Sequence, residues 1–119
     1  MTRAELGRNA EVAVADCLFV QGFSILARNV RLGSLELDIV ARKGPLVAVV
    51  EVRARRPGAL VGPFASVTST KRVRVRRAVR RLWRERLSTM AGVERLRIDV
   101  AAVTFVGGQP RIEYAEGAL

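Results

Sequence analysis

Hydrophobic and polar positions along the chain recur with two different periods, which separate helices from strands. Apolar residues at three- and four-residue spacing predict a helix from about Thr2 to Gln21, ended by Gly22, and a longer helix from about Thr70 to Met90. Apolar runs and period-two alternation predict five strands, at Phe23 to Arg31, Leu35 to Arg42, Leu46 to Arg53, Arg97 to Val106 and Arg111 to Tyr114. The predicted order is α-β-β-β-α-β-β.

Burial of the predicted strands follows from the same pattern. In the second strand, Glu36, Asp38 and Val40 alternate with one apolar face, formed by Leu35, Leu37, Ile39 and Ala41. The third strand is apolar at nearly every position before Glu51, as expected for a central strand covered on both sides. A central strand covered on both sides, together with the two predicted helices, therefore predicts an α/β fold with a central mixed sheet flanked by helices.

A loop is predicted between the third strand and the second helix, and nothing divides the chain into parts. Arg55 to Ser69 contains Pro57-Gly58 and Gly62-Pro63, with room for one helical turn near Phe64. No internal repeat or linker is visible, and 119 residues suit one hydrophobic core. We therefore expect a single domain, 1–119.

The charge balance narrows the class of partner. Lys and Arg number 21 against 11 for Asp and Glu, which gives a formal net charge of +10. Positive charges at this density repel one another within a small domain, and a polyanionic partner offsets that repulsion. Nucleic acid is the predicted partner. Only Lys43 and Lys71 among these basic residues are lysines, and the others are arginines. A GC-rich genome also produces such an excess of arginine, so any single arginine is weak evidence for nucleic-acid binding.

Missing residue types exclude several kinds of chemistry. The chain has no histidine, which excludes Ser-His-Asp triads and histidine-based metal or acid–base sites. The single cysteine, Cys17, has no disulfide partner, which predicts a reducing cytoplasm. No signal peptide or membrane-spanning stretch is expected, since the longest apolar run, Leu46 to Val50, is far too short.

Candidate chemistry lies on the hairpin of the second and third strands. A turn at Lys43-Gly44 would place Glu51 opposite Glu36, and a turn at Gly44-Pro45 would place it opposite Asp38. In either register a second carboxylate is a diagonal neighbour, and like charges across a sheet are destabilising.

A positive charge is therefore expected between these carboxylates. Arg53 could supply it as part of a buried structural ion pair with Asp38 and Glu51. A divalent cation is the other choice, because Mg²⁺ is typically held by one or two carboxylates, waters and a phosphate oxygen. Glu11, at the border of the apolar face of the first helix, could add a further oxygen. The residues themselves leave both alternatives open.

The motif around these carboxylates resembles a known pattern. Asp38, a short hairpin and Glu51-Val52-Arg53 resemble the (P)D…(D/E)-x-K pattern of restriction-endonuclease-like nucleases. More closely, the chain resembles the YraN family of small bacterial proteins with that fold, over nearly its whole length. The matching positions are Gly7, Glu11, Ala15, Gly22, Arg28-Asn29, Glu36 to Ile39, Val49 to Arg55, Gly62, Lys71 and Arg97 to Val100. Archaeal Holliday-junction resolvases share the core plan and are a functional analogy by fold alone.

The resemblance implies roles for individual residues. Asp38 and Glu51 would be ligands of Mg²⁺ or Mn²⁺, with the carbonyl of Val52 as a further ligand and Glu11 as an outer or second-metal ligand. The implied catalytic residues are Asp38, Glu51, Arg53 and Lys71. Arg53 departs from the pattern, which has lysine there; arginine can hold a phosphate oxygen but cannot act as a general base. Lys71 could reach the site as a displaced catalytic lysine, or contact phosphate at the helix start.

The second predicted helix carries basic residues over most of its surface. We expect backbone phosphates to be contacted by Lys71, Arg74, Arg77, Arg80, Arg81 and Arg84, together with Arg55 before the helix. The basic surface predicts a nucleic-acid-binding protein, and the resemblance implies a metal-dependent nuclease acting on structured or branched DNA, with DNA favoured over RNA. The alternatives are a catalytically silent nucleic-acid-binding module and a structural protein whose basic helix meets an acidic partner. The sequence leaves open whether the chain forms a homodimer.

Overall fold

A computed structural model describes residues 1–58 and 68–119, which form two helices and five strands. In chain order these are α1 (Arg3–Val20), β1 (Ser24–Leu32), β2 (Leu35–Lys43), β3 (Leu46–Arg55), α2 (Ser69–Leu82), β4 (Arg95–Val106) and β5 (Gln109–Ala115). The predicted order is confirmed. The expectations for Gly62 and Phe64 lie outside the described residues. No helix within the described ranges is long and apolar enough to cross a membrane.

The strands form one mixed sheet in the order β1-β2-β3-β4-β5. Neighbouring strands are antiparallel except β3 and β4, which are parallel. The pairing of β2 with β3 runs from Lys43↔Leu46 to Ile39↔Val50, so the hairpin turns at Gly44-Pro45. Gly44 has φ 58°, a left-handed conformation that glycine adopts without a steric penalty. Of the two registers considered, the one that brings Glu51 level with Asp38 is therefore present.

The helices cover opposite faces of the sheet and divide the core into two parts. The α1-side core joins Ala10, Val14 and Leu18 to sheet residues such as Val50 and Ala101. The α2-side core joins four buried residues of α2 to the other face of the sheet, and these are Val75, Ala78, Val79 and Leu82. The predicted mixed sheet flanked by helices is confirmed.

Both helix starts are fixed by threonine caps, but the second helix is shorter than predicted. Thr2 Oγ1 accepts from the Glu5 amide at 3.1 Å, and Thr68 Oγ1 accepts from the Lys71 amide at 3.2 Å. The predicted helix to Met90 leaves α-helical geometry after Leu82 and continues as a π-helical segment, Trp83–Leu87. The Ser88 amide there donates to the carbonyl of Trp83 at 2.9 Å, a five-residue step that period 3.6 does not reveal.

The prediction that β2 keeps one apolar face is wrong at Asp38. Ile39 belongs to the α1-side core, whereas Leu37, two residues earlier, belongs to the α2-side core. The pairing with β1 passes from Arg28↔Ile39 to Val30↔Leu37 and skips Asn29 and Asp38. Asn29 has φ 52°, which breaks the extended conformation. Consequently the far end of the β1–β2 hairpin turns toward α2.

Candidate functional site

An open cavity of about 360 Å³ lies where the turned end of β2, the end of β3 and the first turns of α2 meet. We call it the carboxylate cavity. Its charged lining residues are Glu36, Asp38, Glu51, Arg53, Lys71 and Arg74. The break in β2 that overturned the expected alternation is thus the feature that shapes this cavity.

Asp38 is held beside Glu51 by the backbone of β3. The β2–β3 pairing extends as far as Ile39↔Val50, and beyond it Asp38 Oδ2 accepts a hydrogen bond from the Val52 amide at 2.8 Å. Glu51 is 3 % exposed, so its carboxylate is almost removed from water. Two carboxylates therefore share one sheltered position, as the register at Gly44-Pro45 requires.

Within the part of the chain that the structure describes, Lys71 and Arg53 both approach Glu51, and Lys71 is the closer. Its Nζ lies 2.9 Å from Glu51 Oε1, whereas Nη1 of Arg53 lies 3.8 Å from the same oxygen. The Thr68 cap fixes the first turn of α2 and with it the position of Lys71. The structure thus brings Asp38, Glu51, Arg53 and Lys71 together, while their catalytic roles stay predictions.

The shared negative charge changes the acidity of Asp38. Burial, and secondly the charge of Glu51, raise the pKa of Asp38 from 3.8 to about 7, and the hydrogen bond from Val52 opposes this only in part. The aspartate therefore exchanges its proton near neutral pH. A cation nearby favours the charged form, and the ammonium of Lys71 does so in part, since it lowers the pKa of Asp38 against the other effects.

Glu11 is close enough to the site for its charge to help raise the pKa of Asp38, and it is linked to the cavity rim through Asn29. The Asn29 side-chain nitrogen, oriented to donate, lies 3.1 Å from Oε1 of Glu11 and 3.1 Å from Oε1 of Glu36. Burial raises the pKa of Glu11, an effect that Arg28 partly offsets. Glu11 is not among the residues that line the carboxylate cavity. Its predicted role as an outer or second-metal ligand stays a prediction.

The two carboxylates suit a metal ion whose remaining ligands come from water and a substrate phosphate. Within residues 1–58 and 68–119, no three Asp, Glu or Cys side chains group closely enough to hold an ion by themselves. Asp38 and Glu51 nevertheless offer two hard carboxylates, and Mg²⁺ usually binds one or two, completing its octahedron with water and phosphate oxygens. The side chains present therefore fit Mg²⁺ or Mn²⁺ held partly by a bound phosphate.

A basic surface continues from the cavity along α2. The arginines expected to contact phosphate there are all exposed, and they are Arg74, Arg77, Arg80, Arg81 and Arg84. Arg74 lines the carboxylate cavity, and Arg81 Nε pairs with Glu85 Oε1 at 2.9 Å. Arg55 is half-buried at the end of β3 and lines a different cavity. We call the five residues of the helix and its π-helical extension the α2 basic surface.

Sequence reasoning missed the contribution of Asn29 to the site. This residue ends the alternation of β1 and bridges carboxylates from α1 and β2. The signal was present, because asparagine is disfavoured within strands and readily adopts positive φ. An asparagine within a predicted strand therefore indicates a local break.

Fold and cavity together define the class: a three-layer α/β domain with a carboxylate cavity beside an arginine-covered helix. The chain belongs to the UPF0102 family, since the model of "Uncharacterised protein family UPF0102" matches residues 10–103. It is 49% identical over 118 residues to a UPF0102 protein of Sorangium cellulosum, covering 98% of this chain and 82% of the relative. A UPF0102 protein of Anaeromyxobacter dehalogenans is 40% identical over 118 residues, covering 98% and 85%.

A further relative shows the same relationship. A UPF0102 protein of Streptomyces coelicolor is 40% identical over 119 residues, with 97% of this chain and 88% of that protein covered. The resemblance to the YraN family, which is UPF0102, is therefore confirmed.

Proposed function

We propose that this protein is a metal-dependent nuclease of restriction-endonuclease-like fold that hydrolyses phosphodiester bonds in structured or branched DNA. The observation that supports it best is the position of the Asp38–Glu51 pair. These carboxylates face a cavity whose rim is the start of the α2 basic surface. A phosphate held by the arginines would thereby meet the two carboxylates.

The residues of the cavity divide the work by their chemistry. Asp38, Glu51 and the carbonyl of Val52 would hold Mg²⁺ or Mn²⁺, which supplies an activated water and offsets negative charge on the phosphate. Arg53 stays protonated and donates to a phosphate oxygen. Lys71 presents a compact ammonium 2.9 Å from Glu51, so it suits positioning the attacking water beside that carboxylate.

A second function is favoured by one specific residue. Arg53 stands where related nuclease motifs carry lysine, and a cavity without a working base would bind nucleic acid and leave it intact. The α2 basic surface would serve such a binding module equally well. Turnover therefore has to be measured, and binding alone does not separate the two functions.

The test is a cleavage screen of the purified protein with Mg²⁺ or Mn²⁺ on single-stranded, duplex, flapped and four-way-junction DNA, with matched RNAs. We expect cleavage that Glu51→Gln abolishes and that Lys71→Arg lowers by about 100-fold, because arginine keeps the charge but its larger planar group cannot hold the water in the same place. Glu113→Gln, which neutralises an exposed glutamate of β5, is the matched control.

Two results would decide against the nuclease. Cleavage that persists unchanged in Glu51→Gln would come from a contaminant and remove the support for this site. Binding without cleavage of any substrate, by both the wild type and Arg53→Lys, would establish the binding module instead.

A further inference from the structure

A second cavity, of about 540 Å³, lies on the α1 side of the end of β3. Its volume is within the range of small-ligand sites. Four arginines line it, one from the first turn of α1 and three from the end of β3 and the residue that follows, and they are Arg3, Arg53, Arg55 and Arg56. None of its described lining residues is acidic. We call it the arginine cavity.

The remaining lining of the arginine cavity is apolar. Leu6, Val52 and Ala54 form much of its wall, and Gly7 of α1 completes it. Guanidinium groups over an apolar wall suit a ligand that combines a phosphate with a flat, weakly polar ring, because guanidinium both pairs with phosphate and stacks on rings. Such a ligand is a nucleotide.

The two cavities share a wall. Val52 and Arg53 line both of them, one on each side of β3. A strand whose scissile phosphate lies at Asp38 and Glu51 would therefore pass Arg53 before its next nucleotide reaches the arginine cavity. This places Arg53 between successive phosphates, where a permanently charged, bidentate donor is more useful than a lysine.

We propose that the arginine cavity binds the unpaired nucleotide next to the scissile phosphate, so that the protein takes a single-stranded segment at its site. This inference rests on the proposed function in taking the neighbouring phosphate to be the one that is cleaved, but the binding itself can be measured without cleavage. It assigns Arg3 and Arg56, which the sequence did not single out, to the substrate-binding surface. Gly7 is assigned to it as well.

Gly7 offers a variant that fills the cavity without changing its charge. A Cβ added at Gly7 meets no heavy atom within 4 Å, and leucine is a better helix former than glycine. Gly7→Leu should therefore fold at least as stably as the wild type while occupying space in the cavity. The charge of the cavity is tested separately by the double variant Arg3→Ala/Arg56→Ala.

The experiment measures the affinity of a fluorescein-labelled 12-nucleotide oligo(dT) by anisotropy in EDTA, where no metal-dependent cleavage occurs. The matched control is Arg8→Ala/Arg111→Ala, which removes the same charge from exposed positions outside both cavities. We expect Kd to rise about tenfold or more for Arg3→Ala/Arg56→Ala and clearly for Gly7→Leu, against about twofold for the control.

Each outcome bears on the cavity alone. Equal weakening by the cavity and control double variants, or unchanged affinity in a folded Gly7→Leu, would overturn the proposal even if the wild type cleaves DNA. Selective weakening supports it even if no cleavage is ever observed, in which case the proposed nuclease fails and the nucleotide-binding cavity stands. A duplex of the same length serves as competitor, and preference for the duplex would also overturn the proposal.

Discussion

Replacing Asp38 by asparagine should stabilise the metal-free protein at pH 8. Burial and the charge of Glu51 raise the pKa of Asp38 from 3.8 to about 7, so ionising this side chain costs more in the folded than in the unfolded state. An asparagine oxygen can still accept the hydrogen bond from the Val52 amide, now 2.8 Å from Asp38 Oδ2. The substitution therefore removes the charge and keeps the contact.

The expected magnitude follows from proton linkage. A folded-state pKa raised by about three pH units corresponds to about 4 kcal/mol, fully retained below the unfolded pKa and lost as pH rises through 7. The wild type should lose this stability between about pH 4 and pH 8, whereas Asp38→Asn should not. At pH 8 the variant should unfold at a temperature higher by on the order of 10 °C, with little difference at pH 4.

The assay is thermal and urea unfolding at several pH values, with EDTA or with Mg²⁺. Mg²⁺ should stabilise the wild type at pH 8 by mass action and leave Asp38→Asn unchanged, because the variant lacks a ligand. Asp16→Asn, an exposed aspartate of α1, is the matched control. A variant less stable than the wild type at pH 8 in EDTA would refute the reasoning and indicate that Asp38 is a stabilising ion-pair partner.

Three other features each predict a measurable outcome. Asp99 is fully buried and binds Arg97 through both oxygens, so Asp99→Asn should cost about 3 kcal/mol or more in urea unfolding; a loss below about 1 kcal/mol would contradict this. Because Asn29 has positive φ, Asn29→Ala should be less stable than Asn29→Gly by about 1 kcal/mol, and the reverse order would contradict the strain. DNA affinity should fall with salt at a log–log slope near −5 for about six phosphates, and Arg77→Ala/Arg80→Ala should flatten it by about 2; an unchanged slope would exclude contacts from the α2 basic surface.

The element order could be predicted because local signals agree with the fold, whereas the sequence left two registers of the β2–β3 hairpin open and the structure selects one of them. Lys43-Gly44-Pro45 is typical of a tight turn without fixing which two residues form it, and the apolar run before Glu51 suits the strand that lies third of five in the sheet. The sequence left two roles open for Lys71: it could reach the carboxylates near Glu51, or it could contact phosphate at the start of the helix. Only the Thr68 cap and the packing of α2 select the contact at 2.9 Å.

The break at Asp38 could not be predicted from periodicity, since the residues on either side of it, Leu37 and Ile39, are apolar in the expected positions. Leu37 and Ile39 are equally buried whether they share a face or not, because both faces of the sheet are covered. In a strand that is covered on both faces, an apolar residue shows that its position is buried but not which face of the sheet it lies on. The hydrogen bonds of Asn29 to two carboxylates likewise depend on contacts between distant segments.

The strand order has a consequence for how the protein folds. Each strand lies next to its neighbours in the chain, so β1, β2 and β3 can pair through short turns, whereas the β3–β4 pairing waits for the crossover through α2. Asp38 and Glu51 are thus brought together before Lys71 can reach them. We expect repulsion between these carboxylates to slow closure of the site at neutral pH, so the cavity is completed late, when α2 docks and its lysine offsets their charge.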